Sequence, residues 1–133
     1  MNAQGTPLAG RRILVGEDKY LIARDLEHTL LDAGCAEVML APSIVDCEDI
    51  RAHTALDAAV LDLQLRDGDA GAFARTLRSD GIPVLLITGY EQSTIPDDLA
   101  DVPMLAKPFS RPRLLARLTE VLAARHSAEG PGA

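Results

Sequence analysis

The sequence predicts an α/β domain, a parallel sheet covered by helices on both faces. Three observations carry that expectation. Five short apolar runs recur along the chain: Ile13-Leu14-Val15, Val38-Met39-Leu40-Ala41, Ala58-Ala59-Val60-Leu61, Pro83-Val84-Leu85-Leu86-Ile87 and Pro103 to Ala106. They lack polar alternation, so they read as strands buried on both faces. Apolar residues spaced at three to four fill the intervals, and regular alternation of strand with helix implies right-handed βαβ units. There is no internal repeat and no linker.

Each element has a local reason. Residues 1–10, with Gly5, Pro7 and Gly10, read as a flexible leader. The first strand gives way at Gly16 to Glu17-Asp18, and Ile22, Leu26, Leu30 and Ala33 then mark a helix that Gly34 is placed to stop. Pro42-Ser43 turns the second strand, and Ser43 is placed to cap a helix carrying Ile44, Cys47 and Ile50. The third strand runs into Asp62. After an Asp67-Gly68 turn, Ala72, Phe73, Ala74 and Leu77 suggest a helix that ends before Gly81. The fourth strand stops at Thr88-Gly89-Tyr90. Residues 91–102 hold Pro96, a run of Asp and little to bury, so a helix there is weak or short. Ser110 can cap a last helix carrying Leu114, Leu115, Leu118, Val121 and Leu122, and residues 126–133 read as a disordered tail.

Length and charge narrow the function. At 133 residues the chain is expected to be one domain with no separate output module. A net charge of −7 disfavours nucleic acid and anionic membrane as partners, and 3% aromatic residues with no Trp leave no base-stacking platform. Cys35 and Cys47 lack metal-ligand spacing, no signal peptide precedes them, and no apolar run is long enough to span a membrane. A reducing, cytoplasmic setting is the expectation.

In an open α/β sheet, ligands bind outside the carboxyl ends of the strands. The residues there are Glu17 and Asp18 after the first strand, Asp62 after the third, Thr88 after the fourth and Lys107 after the fifth. Asp62 is the candidate reaction centre, since a fully apolar strand gains no stability by ending in an acid. Taken alone, it reads equally well as a turn or cap residue. Three crowded carboxylates repel one another, each pair by on the order of 4 kcal/mol at 4 Å and an effective dielectric of 20. One lysine cannot balance them. The shortage of His and suitably spaced Cys points to a hard, oxygen-preferring cation, Mg²⁺ first and Mn²⁺ second. A metal beside a strand-end carboxylate, a hydroxyl and a lysine suits phosphoryl transfer, with Asp62 as the nucleophile that forms an acyl phosphate. Glu17-Asp18 also suits a helix N-terminus, which is compatible with metal binding. His28, His53 and His126 read as surface or helix residues, and both cysteines as buried small hydrophobes.

On Glu17-Asp18, Leu61-Asp62-Leu63, Thr88-Gly89 and Lys107-Pro108-Phe109, the chain resembles the receiver domains of two-component response regulators, over roughly residues 11–125. Any one motif is weak; the ordered set is specific. The resemblance implies a flavodoxin-like (βα)5 three-layer sandwich with strand order 2-1-3-4-5, the order of a chemotaxis receiver. It implies that Asp62 is the phosphoacceptor, that Asp18, Asp62 and the backbone carbonyl of Gln64 ligate the metal, and that Glu17 acts mainly through water. Thr88 would hydrogen-bond the phosphoryl group, Lys107 would pair with it, and the Lys107-Pro108 peptide would be cis. Gln64 and Tyr90 would border the path of the hydrolytic water. The family usually has Tyr or Phe three residues before the lysine, and here that residue is Met104. Pro83 to Tyr90 resembles a receiver subfamily, seen in alphaproteobacterial regulators, that has Phe-Ala-Thr-Gly-Tyr or a close variant there.

The implied function is a stand-alone response regulator. A histidine kinase or histidine phosphotransfer protein would phosphorylate it, and it would signal to a further protein or act as a phosphate shuttle or sink, with no turnover beyond its own phosphorylation and dephosphorylation. One alternative is a degenerate receiver that binds a partner without phosphorylation. Another is a Mg²⁺-dependent phosphohydrolase of haloacid dehalogenase type, but Gln64 stands where that chemistry needs a second Asp.

Overall fold

The computed structural model describes residues 8–89 and 97–129, with side chains as far as Ala124. The sheet is built from β1 (Arg12–Gly16), β2 (Glu37–Ala41), β3 (Ala58–Asp62), β6 (Val84–Thr88) and β7 (Met104–Ala106). Their order is β2-β1-β3-β6-β7, every neighbour parallel. Between β3 and β6 lies a separate small hairpin, β4 (Gln64–Leu65) with β5 (Gly68–Asp69). With that hairpin set aside, the five main strands follow the expected 2-1-3-4-5.

β3 is the middle of the sheet because it can be dry on both faces. All five of its residues are buried, and each large apolar side chain so buried contributes about 1.5–3 kcal/mol. Alternate residues feed two cores. Ala59 and Leu61, with Leu14 and Leu86, meet Cys47 of α2 (Ile44–His53) and Phe73 and Leu77 of α3 (Gly71–Ser79). Val60, with Val15, Leu85 and Ile87, belongs to the opposite core with Leu26 and Leu30 of α1 (Tyr20–Asp32) and Leu114 and Leu118 of α4 (Arg111–Glu129). These are the three layers that the apolar patterns imply. Burial pushes the Cys35 thiol up to about 11 and the Cys47 thiol up to about 12, so both act as packing groups.

Local signals set the helix ends. Gly34 follows α1 with φ +107°, a conformation glycine adopts without a Cβ penalty, and the chain turns there into β2. Ser43 Oγ accepts the Asp46 N–H at 3.1 Å, and Ser110 Oγ accepts the Arg113 N–H at 3.3 Å, both as predicted caps. α2 has a second cap from outside its own segment. The Asp67 carboxylate, in the hairpin loop, accepts the N–H groups of Ile44 at 2.7 Å and Val45 at 3.2 Å, and these bonds hold its pKa below the ordinary carboxylate value. The loop after the third strand is thereby tied to α2.

Three expectations are corrected. Residues 8–10 do not belong to a flexible leader: Leu8 is 3% exposed in the α1/α4 core, and the Gly10 N–H donates to the Gly34 carbonyl at 2.9 Å. One buried leucine and two backbone bonds are enough to fix so short a stretch. The last helix continues through residue 129, past the expected end at 125, where no Gly or Pro interrupts residues 125–129. The third strand is followed by a hairpin, where the sequence suggested only a turn. Of the stretch 91–102, where a weak or short helix is expected, the described residues hold one 3-10 turn, Asp97–Leu99, anchored by the fully buried Leu99. Residues 1–7, 90–96 and 130–133 lie outside the described residues, and Tyr90 with them.

Candidate functional site

Strand register brings the predicted residues to one edge. Gly16 is level with Leu61, Asp62 with Ile87, and Thr88 with Ala106, so Glu17, Asp62, Thr88 and Lys107 all emerge at the carboxyl end of the sheet. Side-chain alternation then groups three of them. Glu17, Asp62 and Lys107 continue the series of Val15, Val60 and Leu105, which face the α1/α4 core. Thr88 continues the opposite series, with Val84 and Leu86.

The group so formed has a lysine between two buried acids. Lys107 Nζ donates to Asp62 Oδ2 at 2.5 Å and lies 3.6 Å from Glu17 Oε1. The side chains of Glu17 and Asp62 are 1% and 8% exposed, against 24% for Lys107. The other oxygen of each acid takes a main-chain N–H: Gln64 donates to Asp62 Oδ1 and Lys19 to Glu17 Oε2, both at 3.0 Å. The Lys107 N–H donates to the Thr88 carbonyl at 2.8 Å, which fixes the lysine against β6, and the following Lys107-Pro108 peptide is cis. Gln64 contributes its backbone here while the residue as a whole is exposed. Met104 packs against the α2/α3 core and its carbonyl accepts from Arg117 Nε at 3.2 Å; Phe109 packs against the α1/α4 core.

Asp18 stands apart from this pair. Its Oδ1 is buried without a hydrogen-bond donor, and the nearest cation is Lys19 Nζ at 3.8 Å. The sequence alone gave Lys19 no role, although a lysine directly after an acidic pair is visible there. An oxygen-only donor set with one carboxylate oxygen lacking a donor suits a hard divalent cation. Among the described residues no three His, Cys, Asp or Glu side chains form a metal cluster. Mg²⁺, which keeps several waters and takes few protein ligands, is a cation of that kind.

The electrostatics have a testable sign. Burial pushes the Glu17 pKa up, and the Lys19 N–H and the Lys107 charge offset this only in part. Burial pulls Lys107 down, but its hydrogen bond to Asp62 and the charge of Glu17 outweigh that and leave its pKa raised. An acid raised in the folded state gives stability below its unfolded value near 4.5 and loses it as pH rises through the folded value. Ionised Glu17 thus costs stability at neutral pH. Glu17→Gln removes this titration, so stability is expected to fall less between pH 4.5 and neutrality in the variant than in the wild type. Urea unfolding of both proteins at pH 4, 5.5 and 7 checks this.

A doubly wound parallel sheet with a charged cluster at its carboxyl edge defines a ligand-handling α/β domain of the flavodoxin-like type. The chain belongs to the response regulator receiver domain family of two-component systems, whose model matches residues 13–119. The response regulator MprA of Mycobacterium sp. (strain KMS) is 33% identical over 125 residues, covering 90% of this chain and 54% of that protein. The chain spans about half the length of the curated relatives it matches. The crystal structure of a response regulator receiver protein from Sinorhizobium medicae WSM419 superposes with a TM-score of 0.75 at 28% identity, covering 89% of this chain and 98% of that one. The solution structure of SdrG from Sphingomonas melonis Fr1 gives 0.65 at 26%, covering 95% and 99%. No helix among the described residues is long and apolar enough to cross a membrane.

Proposed function

We propose that Asp62 accepts a phosphoryl group from the phosphohistidine of a histidine kinase or histidine phosphotransfer protein. The observation that carries this reading is the held carboxylate: Asp62 sits at the end of the central strand with Lys107 on one oxygen and the Gln64 N–H on the other. A carboxylate oxygen attacks phosphorus, the P–N bond to the donor imidazole breaks, and its electron pair returns to the ring. Lys107, already the counter-charge of Asp62, then pairs with a phosphoryl oxygen, and the Thr88 hydroxyl donates to another. Asp18, Asp62 and the Gln64 carbonyl would hold Mg²⁺ or Mn²⁺, with Glu17 acting through water. That ion, when bound, neutralises charge on the transferring group.

Access also supports the reading. Tyr20 and Leu21, at the start of α1 just beyond Glu17 and Asp18, are 67% and 81% exposed. Leu21 lines a groove that continues to Lys107, Pro108 and Phe109. Large apolar side chains exposed beside a reaction centre suit a protein donor. The phosphorylated domain acts through contacts with a further protein, or passes the group on.

The test uses acetyl phosphate and MgCl₂, with intact mass as the readout and peptide mapping to locate the adduct. One phosphoryl group on the peptide containing Asp62, absent when EDTA replaces MgCl₂, is the expected result. No adduct would favour a phosphorylation-independent binding module.

A further inference from the structure

The chain has two lysines, Lys19 and Lys107, against eleven arginines, and both lysines lie on carboxylates at the same sheet edge. Their settings differ. Lys107 is hydrogen-bonded between Glu17 and Asp62 and is three-quarters covered. Lys19 is 66% exposed, and its ammonium lies 3.8 Å from Asp18 Oδ1, near enough for charge but beyond hydrogen-bond distance. Its backbone is fixed: the N–H is held by Glu17 Oε2 at 3.0 Å, and the carbonyl accepts the Ala23 N–H at 2.9 Å as the first bond of α1. The flexible stem thus swings from a rigid anchor. A lysine is a compact point charge that leaves a carboxylate easily, whereas an arginine could hold it with two parallel bonds.

We propose that Lys19 is a tethered competitor of the divalent cation. Its ammonium partly offsets the charge of Asp18 and must move away from Oδ1 before an ion binds there, so Lys19 tunes the affinity of the site for the metal. This rests on the metal reading of Asp18 given above. Lys107 cannot play the same part, because its ammonium is committed to Asp62 and Glu17. The competition is weak by construction. Removing an exposed ion pair of this kind changes an equilibrium by about two- to fivefold, and the effect fades when salt shortens the screening length to about 3 Å at 1 M.

Titration with MnCl₂, following free Mn²⁺ by electron paramagnetic resonance, reads the affinity without any reaction. Four proteins are compared: the wild type, Lys19→Gln, Asp18→Asn and Arg12→Gln. Arg12 is exposed at the amino-terminal end of β1, the opposite sheet edge, and loses the same unit of charge. Lys19→Gln is expected to bind about two- to fivefold more tightly than the wild type at low salt and equally at 1 M KCl. Arg12→Gln should match the wild type, and Asp18→Asn should lose binding. If Lys19→Gln and the wild type bind alike at low salt while Asp18→Asn is impaired, the metal site stands and the role of Lys19 is overturned. An equal gain in Arg12→Gln would also overturn it, in favour of net charge. Absence of Mn²⁺ binding by the wild type overturns both this inference and the metal reading.

Discussion

Asp62→Asn is expected to take up no phosphoryl group from acetyl phosphate under conditions in which the wild type is modified. The substitution isolates chemistry from architecture. An asparagine carbonyl oxygen can still accept from the Gln64 N–H, now 3.0 Å from Oδ1, or from Lys107. Lys107 keeps a second carboxylate in Glu17 at 3.6 Å, and the apolar neighbours along β3 are untouched. The amide has lost the anionic oxygen that must form the new bond, and its nitrogen lone pair is delocalised into the carbonyl. Intact mass gives the readout, with a thermal melt to verify that the variant is folded. Wild-type labelling of a folded Asp62→Asn protein would move the acceptor elsewhere, with Asp18 the first residue to examine.

The parts of this site legible in the sequence were those that a period or a strand end can signal. Unbroken apolar runs mark strands buried on both faces, and the rule that parallel strands present their carboxyl ends together places Glu17, Asp62, Thr88 and Lys107 on one edge. The grouping within that edge follows from alternation, which is as readable as the runs once the register is known: Glu17 is two beyond Val15, Asp62 two beyond Val60, and Lys107 two beyond Leu105. The hairpin was not legible, because strands of two residues are too short to show any period. The tie from Asp67 to α2 spans 22 to 23 residues, and Asp-Gly by itself signals only a turn. Leu8 was hidden for another reason: a single apolar residue among Gly, Pro and Ala carries no pattern, and only the folded end of α1 creates the surface it covers. The split between the two lysines depends on side-chain reach, which spacing does not encode.

Lys107→Met should expose the electrostatic cost that Lys107 now offsets. The variant keeps the apolar stem and removes the charge, leaving Glu17 and Asp62 facing each other with 1% and 8% of their side chains exposed. Breaking a fully buried pair costs 3–5 kcal/mol; since 24% of the Lys107 side chain meets solvent, a loss of roughly 2 kcal/mol at pH 7 is expected. Its pH dependence separates charge from packing. Glu17 is already raised by burial, and losing the nearby ammonium raises it further. Its stabilising contribution is therefore complete below the unfolded value near 4.5 and disappears as pH rises through the folded value, so the deficit should be small at pH 4 and full by neutrality. Above 10.5 the wild type begins to lose its own advantage, because Lys107 is raised from that value and its contribution goes as pH passes the folded one. Urea midpoints at pH 4, 7 and 9 measure the first limb, with Lys107→Arg as the charge-retaining control. A deficit that stays constant from pH 4 to 9 would mean that altered packing around the methionine, and not the lost ammonium, weakens the fold. The same variant should slow phosphoryl uptake by about 10²-fold, the scale for removing one preorganised charge from a transferring group. The growth of the stability deficit from pH 4 to pH 7 and the rate at pH 7 thus report the same ammonium by independent routes.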